Sequence, residues 1–186
     1  IVDAIQEFTH MEVITATVHT DEGSTGMGIG YTIGRGGKAL KVFLDEEFVP
    51  LALGEDPNNI DRIWEKMWWG PHWVGRGGIA SLAMCPIDIA LWDLKAKRAG
   101  LPLYKLLGGF RDSMPVYDTD SGWLNHSQDE IIRESAERVE QGYTGVKIKV
   151  GKDNRSEDVA RLRAVRKTVG PDIKIMTDAN LRWTAA

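Results

Sequence analysis

The sequence predicts an α+β domain over residues 1–110, followed by the first strands and helices of a parallel, barrel-like domain over residues 111–186. Two observations support this division. An early β-hairpin leads into three helical segments, and after residue 111 strands alternate with helices. Strands that alternate with helices pair in parallel through right-handed crossovers, so the second half is of the α/β type.

The first domain opens with a hairpin. β-Branched residues recur over residues 12–20, a turn follows at 21–24, and a glycine-rich strand at 25–32 returns. Helical spacing of apolar residues then predicts three helices. The first spans 38–53 and stops near Pro50, the second starts after a cap at Asn58 or Asn59, and the third spans 79–99. The third is apolar nearly all round, which indicates a buried central helix.

The second domain repeats one unit. The predicted elements are a strand at 114–119, a helix at 129–141, a strand at 145–150, a helix at 156–169 and a strand at 173–177. In parallel barrels the catalytic groups stand at the carboxyl ends of such strands.

Composition excludes some partners. The 186 residues have a net charge of −4 and no basic run, which argues against nucleic acid and anionic membranes as partners. No apolar run reaches the ~18 residues of a membrane span, and no signal peptide is expected. The single Cys85 suits a reducing compartment, so a cytoplasmic location is predicted.

Lys147 and Lys149 alternate with apolar residues on the predicted strand at 145–150. The side-chain period of a strand is two, so both lysines point to one face. Mutual repulsion and burial would each lower a lysine pKa toward the range that a general base needs. The alternative is a solvated face of an edge strand, where lysines are common.

Asp178 and Asn180 follow the next predicted strand. A carboxylate and an amide supply the oxygen ligands that hard cations prefer. The alternative is an ordinary turn or helix cap. Both pairs of polar residues end successive strands of one strand–helix–strand run, which favours a shared site.

Other suggestive residues have simpler interpretations. The glycine-rich run before Lys38 fails the phosphate-loop pattern, because Thr32 and Ala39 stand where Gly and Ser or Thr are needed. Asp88 and Asp93 in the long helix are expected to be structural carboxylates paired with Lys95, Lys97 or backbone.

Four stretches resemble the enolase superfamily, in the mandelate racemase/muconate lactonizing enzyme subgroup. They are the leading hairpin and helices, residues 86–97 (PIDIALWDLKAK) continuing into 100–109 (GLPLYKLLGG), the Lys147-Ile148-Lys149 triplet, and Asp178-Ala179-Asn180. The resemblance implies an α+β capping domain over a TIM-like barrel of (β/α)7β type.

The same resemblance implies roles for individual residues. Lys149 matches the base that takes the proton α to a carboxylate, and Lys147 the partner that orients and neutralises that carboxylate. Asp178 matches the first of three Mg²⁺ ligands, and Asn180 a substrate contact. Tyr117 and Thr119 would face the same cavity by the period-two rule, as weaker substrate contacts.

The pattern is incomplete in this sequence. A full barrel takes ~250 residues, and only residues 110–186 follow the capping pattern. The remaining two carboxylate ligands and the opposite-face His–Asp pair of the family are not in this sequence. We therefore expect a fragment of an enzyme that is inactive alone.

The predicted function is Mg²⁺-dependent dehydration of a sugar acid by a hydro-lyase that forms a homo-oligomer. Racemases, epimerases and cycloisomerases of the same superfamily share these residues and remain alternatives. The loop 34–38 could bind a second carboxylate through its cations, or be a plain solvated loop. Two further alternatives belong to other functional classes. In one, Lys149 forms a Schiff base with the substrate. In the other, the chain is a non-catalytic module that binds a partner through the Trp-rich segment 64–73.

Overall fold

Two separate units make up the part of the chain that the computed structural model describes, residues 1–184. The first, which we call the hairpin–helix unit, is His10–Asp112. The second, the strand–helix unit, combines Ile1–Thr9 with the chain from Ser113 onward. The predicted division into domains at residues 110 and 111 stays a prediction. In the structure, residues 1–9 make their contacts with the chain from Ser113 onward.

The hairpin–helix unit begins with two antiparallel strands. Its strands are β1 (Met11–His19) and β2 (Thr25–Ile33), paired from Met11↔Ile33 to His19↔Thr25. The turn closes through a hydrogen bond from the backbone N of Thr20 to the backbone O of Ser24, with Gly23 at a φ of 80°. The structure places both strands close to their predicted positions, because strand alternation and a turn at 21–24 specify a hairpin locally.

Alternate glycines of β2 lie directly on the long helix of this unit, α4 (Ile79–Arg98). An ideal Cβ on Gly28 would lie 2.0 Å from the backbone O of Pro86 and 2.7 Å from the backbone N of Ala90. Gly26 is equally close to the backbone of Ala90. These glycines therefore allow β2 to pack closely on helix α4. The sequence alone excluded a phosphate-binding loop but did not predict this packing role.

Replacing Gly28 by Ala should lower the free energy of unfolding by about 2–3 kcal/mol, because a methyl group cannot fit without moving helix α4. The matched control is Gly77→Ala, where an added Cβ meets no heavy atom within 4 Å. Chemical denaturation of both variants measures the difference. Equal stability of the two variants would contradict this tight strand–helix contact.

The first helical segment is continuous. It runs through α1 (Gly37–Phe43), a π-helical turn at Leu44–Phe48 and α2 (Val49–Ala52). The segment ends at Ala52, close to the predicted span of 38–53 and two residues after Pro50, which stands in the first turn of α2 directly after the π-helical turn. Leu40 and Phe48 on this segment are fully buried in the core.

Helix α3 (Ile60–Trp69) completes the core with α4. Asn59 is the N-cap residue, but its side chain makes no capping hydrogen bond, in contrast to the expectation. Helix α4 buries one face only, since Leu82 and Ile89 are 38% and 41% exposed. The core of the unit comprises Ile14, Leu40, Leu44, Phe48, Ile60, Ile63, Met67, Ala83, Met84, Ile87 and Leu91.

Asp93 has the structural role expected of it. Its Oδ2 accepts hydrogen bonds from Lys97 Nζ at 2.6 Å and from the backbone N of Met27 at 2.8 Å, which ties α4 to β2. A short helix, α5 (Leu103–Leu106), follows α4. No helix within residues 1–184 is long and apolar enough to cross a membrane.

The strand–helix unit contains a parallel pair of strands with two helices. Its elements are α6 (Gln128–Glu140), β3 (Gly145–Lys149), α7 (Arg155–Val169) and β4 (Lys174–Asp178). β3 and β4 pair from Gly145↔Lys174 to Lys149↔Asp178. The parallel pairing predicted from the alternation of strands and helices is therefore present in the structure.

The strand predicted at 114–119 is reduced to one parallel bridge, Asp118↔Val146. The backbone N of Asp118 bonds to the O of Gly145, and the N of Lys147 bonds to the O of Asp118. The residues before Asp118 lie exposed and do not extend the ladder, so propensity alone overestimated this strand.

A small apolar core lies between the sheet and the helices of this unit, formed by Ile131, Val146, Ile148 and Val165. Helix α6 begins with a capping box in which Ser127 and Glu130 exchange hydrogen bonds. This core uses the Val146 and Ile148 face of β3, which leaves the opposite face to the lysines.

Residues 1–9 contact the rest of the strand–helix unit at loop 121–127. The backbone N of Val2 donates to Asn125 Oδ1 at 2.9 Å, and the backbone N of Leu124 donates to the O of Val2 at 3.0 Å. The ring of Phe8 meets that of Trp123 edge-on, with centroids 5.6 Å apart. These contacts are the reason that residues 1–9 belong to this unit.

Candidate active site

Strands β3 and β4 bring Lys147, Lys149 and Asp178 together at one edge of the sheet. Lys149 and Asp178 are direct partners in the parallel register, so their side chains leave the sheet on the same face. Val146 and Ile148 point the other way and are fully buried. The alternation in the sequence thus separates an apolar face from a charged one.

The two lysines share one carboxylate oxygen. Asp178 Oδ2 lies 2.7 Å from Lys149 Nζ and 3.2 Å from Lys147 Nζ. The side chain of Lys149 is only 6% exposed and that of Lys147 is 23% exposed. The alternative of a solvated edge strand is therefore wrong for Lys149, which is buried and ion-paired.

Both lysines lower the pKa of Asp178. The hydrogen bond from Lys149 is the largest cause, and the backbone N–H of Asn180 and the hydrogen bond from Lys147 add to it, so the pKa falls from 3.8 to about 2. Asp178 is thus ionised at neutral pH. Two ammonium groups against one carboxylate leave the cluster with an excess of positive charge, which favours an anionic ligand.

Asn180 belongs to the same cluster. Its Oδ1 accepts a hydrogen bond from Lys149 Nζ at 2.6 Å, and its backbone N donates to Asp178 Oδ1 at 3.0 Å. Asn180 has a φ of 45°, a left-handed conformation that Asn tolerates better than most residues. Asp178 therefore also fits the alternative of a turn, because its carboxylate stabilises the turn that presents Asn180.

Trp123 is a neighbour of Lys149 that no sequence motif identified. Lys149 Nζ lies 5.1 Å from the centroid of the Trp123 ring, within the range of a cation–π contact. The loop is held at β3 by a hydrogen bond from the backbone N of Lys149 to the O of Gly122 at 2.8 Å. The only sequence signal was a Gly-Trp pair shortly after the first predicted barrel strand.

Tyr117 and Thr119 flank Asp118, and their substrate role stays a prediction. Asp118 pairs with Val146 in a single bridge, so the period-two argument would put Tyr117 and Thr119 on the lysine face only if strand geometry extended to them. Tyr117 is 48% exposed. Asp118 itself is buried on the other face, where it accepts a hydrogen bond from the backbone N of Ser121 and pairs with Arg138 Nε at 3.1 Å.

A magnesium site would be only partly supplied by the described residues. Asp178 is an ionised oxygen donor of the right chemistry, and Asn180 offers a second oxygen. Within residues 1–184, no three His, Cys, Asp or Glu residues lie together as a metal-binding group. These residues fit part of a Mg²⁺ coordination sphere, with Asp178 as the one carboxylate.

Two other stretches singled out in the sequence lie in the hairpin–helix unit. In loop 34–38, Arg35 and Lys38 are exposed, and Gly37 N donates to Glu12 Oε2 at 2.9 Å. In the Trp-rich segment, Trp69 and Trp73 are 53% and 92% exposed, whereas Trp68 packs against the core. The three indoles therefore do not form one exposed patch.

The fold defines an α+β domain followed by parallel strand–helix units. Two family models match the chain, "Mandelate racemase / muconate lactonizing enzyme, N-terminal domain" over residues 1–108 and "Enolase C-terminal domain-like" over residues 130–186. The chain therefore belongs to the mandelate racemase/muconate lactonizing enzyme family of the enolase superfamily, as its sequence motifs predicted.

Relatives and solved structures agree with this membership. The chain is 44% identical to L-talarate/galactarate dehydratase of Salmonella typhimurium over 94% of its length, and 39% identical to 3,6-anhydro-alpha-L-galactonate cycloisomerase of Streptomyces coelicolor over 93%. A crystal structure of an L-talarate/galactarate dehydratase variant with Mg and L-glucarate bound matches 98% of the chain with a TM-score of 0.93 and 42% identity.

The chain spans about half the length of these relatives. It covers 44% of the Salmonella dehydratase, 48% of the Streptomyces cycloisomerase and 48% of the crystallised dehydratase variant. The fold predicted from the sequence, a capping domain and the start of a barrel, is confirmed by this similarity.

Proposed function

We propose that this chain supplies the proton-abstracting side of an acid-sugar dehydratase site. Lys149 is the base, Lys147 orients the substrate carboxylate and neutralises its charge, Asp178 is a Mg²⁺ ligand, and Asn180 contacts substrate. Tyr117 and Thr119 are further substrate contacts on the same face. The substrate is a small sugar acid, an aldonate or aldarate.

The observation that carries the proposal is the buried Lys149 amine at the carboxyl edge of the parallel strands, bonded to Asp178 and Asn180. Parallel barrels place their chemistry at this edge. Burial of a lysine amine is costly even when it is paired, so a functional role is favoured over a structural one.

The reaction begins at the carbon next to the substrate carboxylate. In its neutral amine form, Lys149 Nζ accepts the α-proton, and the electron pair of the C–H bond moves into the carboxylate to form an enediolate; the ammonium form is the product of this step. The β-hydroxyl then leaves as water after a general acid protonates it, and the electron pair forms a carbon–carbon double bond. The proton taken by Lys149 and the proton given by the general acid cancel, so the net loss is one water. The enol that results becomes the 2-keto-3-deoxy acid by taking a proton at the β-carbon and releasing its O–H proton.

The positive cluster stabilises the charge that develops in this step. Lys147 is the more exposed ammonium group, so it can reach a substrate carboxylate without leaving the strand face. Bound Mg²⁺ would supply further stabilisation of the negative charge on the carboxylate oxygens. Asp178, ionised well below neutral pH, would hold the ion.

A second candidate function is isomerisation within the same superfamily. The similarity to a cycloisomerase is nearly as extensive as that to the dehydratase. Racemases, epimerases and cycloisomerases share the first proton abstraction and differ in the later fate of the enediolate. The Schiff-base alternative is less favoured, because it leaves Asp178 and Asn180 without a role.

The test is a screen of aldonates and aldarates with the intact protein and Mg²⁺, in deuterated water. A dehydratase should release a 2-keto-3-deoxy acid, which a carbonyl reagent detects. An isomerase should give solvent deuterium at the α-carbon without a keto acid. Absence of both products across the panel would refute the proposed function. Homo-oligomer formation and cytoplasmic location stay predictions.

A further inference from the structure

We infer that Trp123 is a positioning residue for Lys149, and that Arg161 fixes Trp123 in this role. The inference rests on the proposed role of Lys149 as the base. Trp123 lies in a loop, outside the Lys147-Ile148-Lys149 and Asp178-Ala179-Asn180 motifs.

The Lys149 amine has the Trp123 ring and two polar side-chain oxygens as neighbours. Lys149 Nζ is 5.1 Å from the ring centroid, 2.7 Å from Asp178 Oδ2 and 2.6 Å from Asn180 Oδ1. An aromatic face attracts a cation and also excludes water from one side of it. The ring therefore limits where a flexible lysine side chain can place its amine.

Contacts from two other segments hold the backbone of the Trp123 loop and the Trp123 ring. Arg161 on helix α7 donates from Nη2 to the O of Trp123 at 2.8 Å and from Nη1 to the O of His126 at 2.6 Å. Arg161 is only 4% exposed, so these charge-assisted hydrogen bonds are shielded from water. The Phe8 ring supports the Trp123 ring edge-on, at an interplanar angle of 80°.

Gly122 brings this loop against β3. An ideal Cβ at Gly122 would lie 2.4 Å from the backbone O of Lys147 and 2.7 Å from the Cα of Ile148. Only glycine allows the backbone to approach so closely and to accept the hydrogen bond from the backbone N of Lys149. Trp123 is thus held at a fixed distance from the strand that carries the base.

The experiment measures access to Lys149 and turnover separately, in the intact protein. Trace labelling with a water-soluble acylating reagent, read by peptide fragmentation, gives the ratio of Lys149 to Lys147 modification. Trp123→Leu should raise this ratio about fivefold, because loss of the ring frees one side of the amine. Trp123→Phe, which keeps an aromatic face, should give a smaller rise.

Arg161→Lys is the second variant, since a lysine cannot bond both carbonyls at once. It should raise the labelling ratio in the same direction as Trp123→Leu, and it provides the deciding measurement if the leucine variant does not fold. The matched control is Arg133→Lys on helix α6, whose side chain is 61% exposed and which pairs with the carboxylates of Glu134 and Glu137 on its own helix. The control should leave the ratio unchanged.

Turnover gives the second readout. Trp123→Leu should move the Lys149 amine but leave the groups that bind the substrate in place. It should therefore lower kcat about fivefold and change KM by less than about twofold. An unchanged labelling ratio in both Trp123→Leu and Arg161→Lys would overturn the inference. Failure of the proposed function would instead appear as absence of α-proton exchange in the unmodified protein, with the labelling ratio still responding to Trp123.

Discussion

Replacing Lys149 by Ala in the intact protein should abolish exchange of the substrate α-proton with solvent while the protein stays folded. A positioned general base contributes about 10²–10⁴-fold to the rate of a proton transfer. The substitution also leaves Asn180 Oδ1 without its 2.6 Å hydrogen bond and Asp178 with Lys147 as its only ammonium partner among the described residues. Exchange of the α-proton into deuterated water, followed by NMR, measures the loss directly.

The matched control for Lys149 is Lys174→Ala. Lys174 is at the opposite end of β4, where it pairs with Gly145, and it is exposed. Its removal should leave α-proton exchange within about twofold of the unmodified rate, because surface substitutions away from a site are usually close to neutral. Retained exchange in Lys149→Ala, at the level of this control, would refute the base assignment.

Lys147→Ala should behave differently from Lys149→Ala. The Lys147 amine is farther from Asp178 Oδ2, at 3.2 Å, and more exposed, so its role is to attract and orient a carboxylate. Its loss should raise KM and lower kcat only in part. The contrast separates a residue that takes the proton from one that holds the substrate.

The alternation of the sequence was enough to predict the site face, because it is a local property. Val146 and Ile148 had to enter a core, so Lys147 and Lys149 had to leave on the other side. The register that sets Lys149 opposite Asp178 is a longer-range consequence of parallel pairing. The resemblance supplied the roles of these residues, which alternation alone does not.

Other features depend on contacts that no local pattern shows. Trp123 lies beside Lys149 because Gly122 bonds β3 and Arg161 bonds the loop from a helix far along the chain. The predicted strand before Asp118 was too long, because strand formation needs a partner as well as propensity. Pairing and loop anchoring are tertiary, so the sequence alone does not locate them.

The lysine pair illustrates the same limit on electrostatics. From the sequence alone, two neighbouring ammonium groups are expected to repel each other and to resist burial. In the structure both groups form ion pairs with the same carboxylate oxygen, which their repulsion alone would not suggest. The carboxylate of Asp178 lies 29 residues after Lys149 in the chain. The attraction that offsets the repulsion between the two lysines is therefore visible only in the folded structure.

Asp178→Asn should weaken Mg²⁺ binding by about tenfold or more, because the substitution removes the one ionised oxygen ligand that the described residues offer. Isothermal titration with MgCl₂ measures the change. The matched control is Asp153→Asn, whose side chain is 94% exposed and whose ion pair within residues 1–184 is with Arg182. Equal Mg²⁺ affinity in Asp178→Asn and the control would count against the ligand role.

The same variant should alter the acid stability of the protein, with a sign set by the pKa. The pKa of Asp178 is lowered from 3.8 to about 2, so its ion pairs stabilise the fold fully above pH 3.8 and are lost as the pH falls through about 2. Because the side chain is 31% exposed, solvent screening limits this contribution to about 1 kcal/mol.

In Asp178→Asn this part of the acid dependence should disappear, since an amide does not titrate. The difference in the free energy of unfolding between the unmodified protein and the variant should therefore shrink between pH 4 and pH 2, on the order of 1 kcal/mol, measured by urea denaturation at each pH. A constant difference across that range would mean that the Lys149–Asp178 pair does not stabilise the fold. Asp153→Asn provides the baseline, because its exposed pair should contribute almost nothing at any pH.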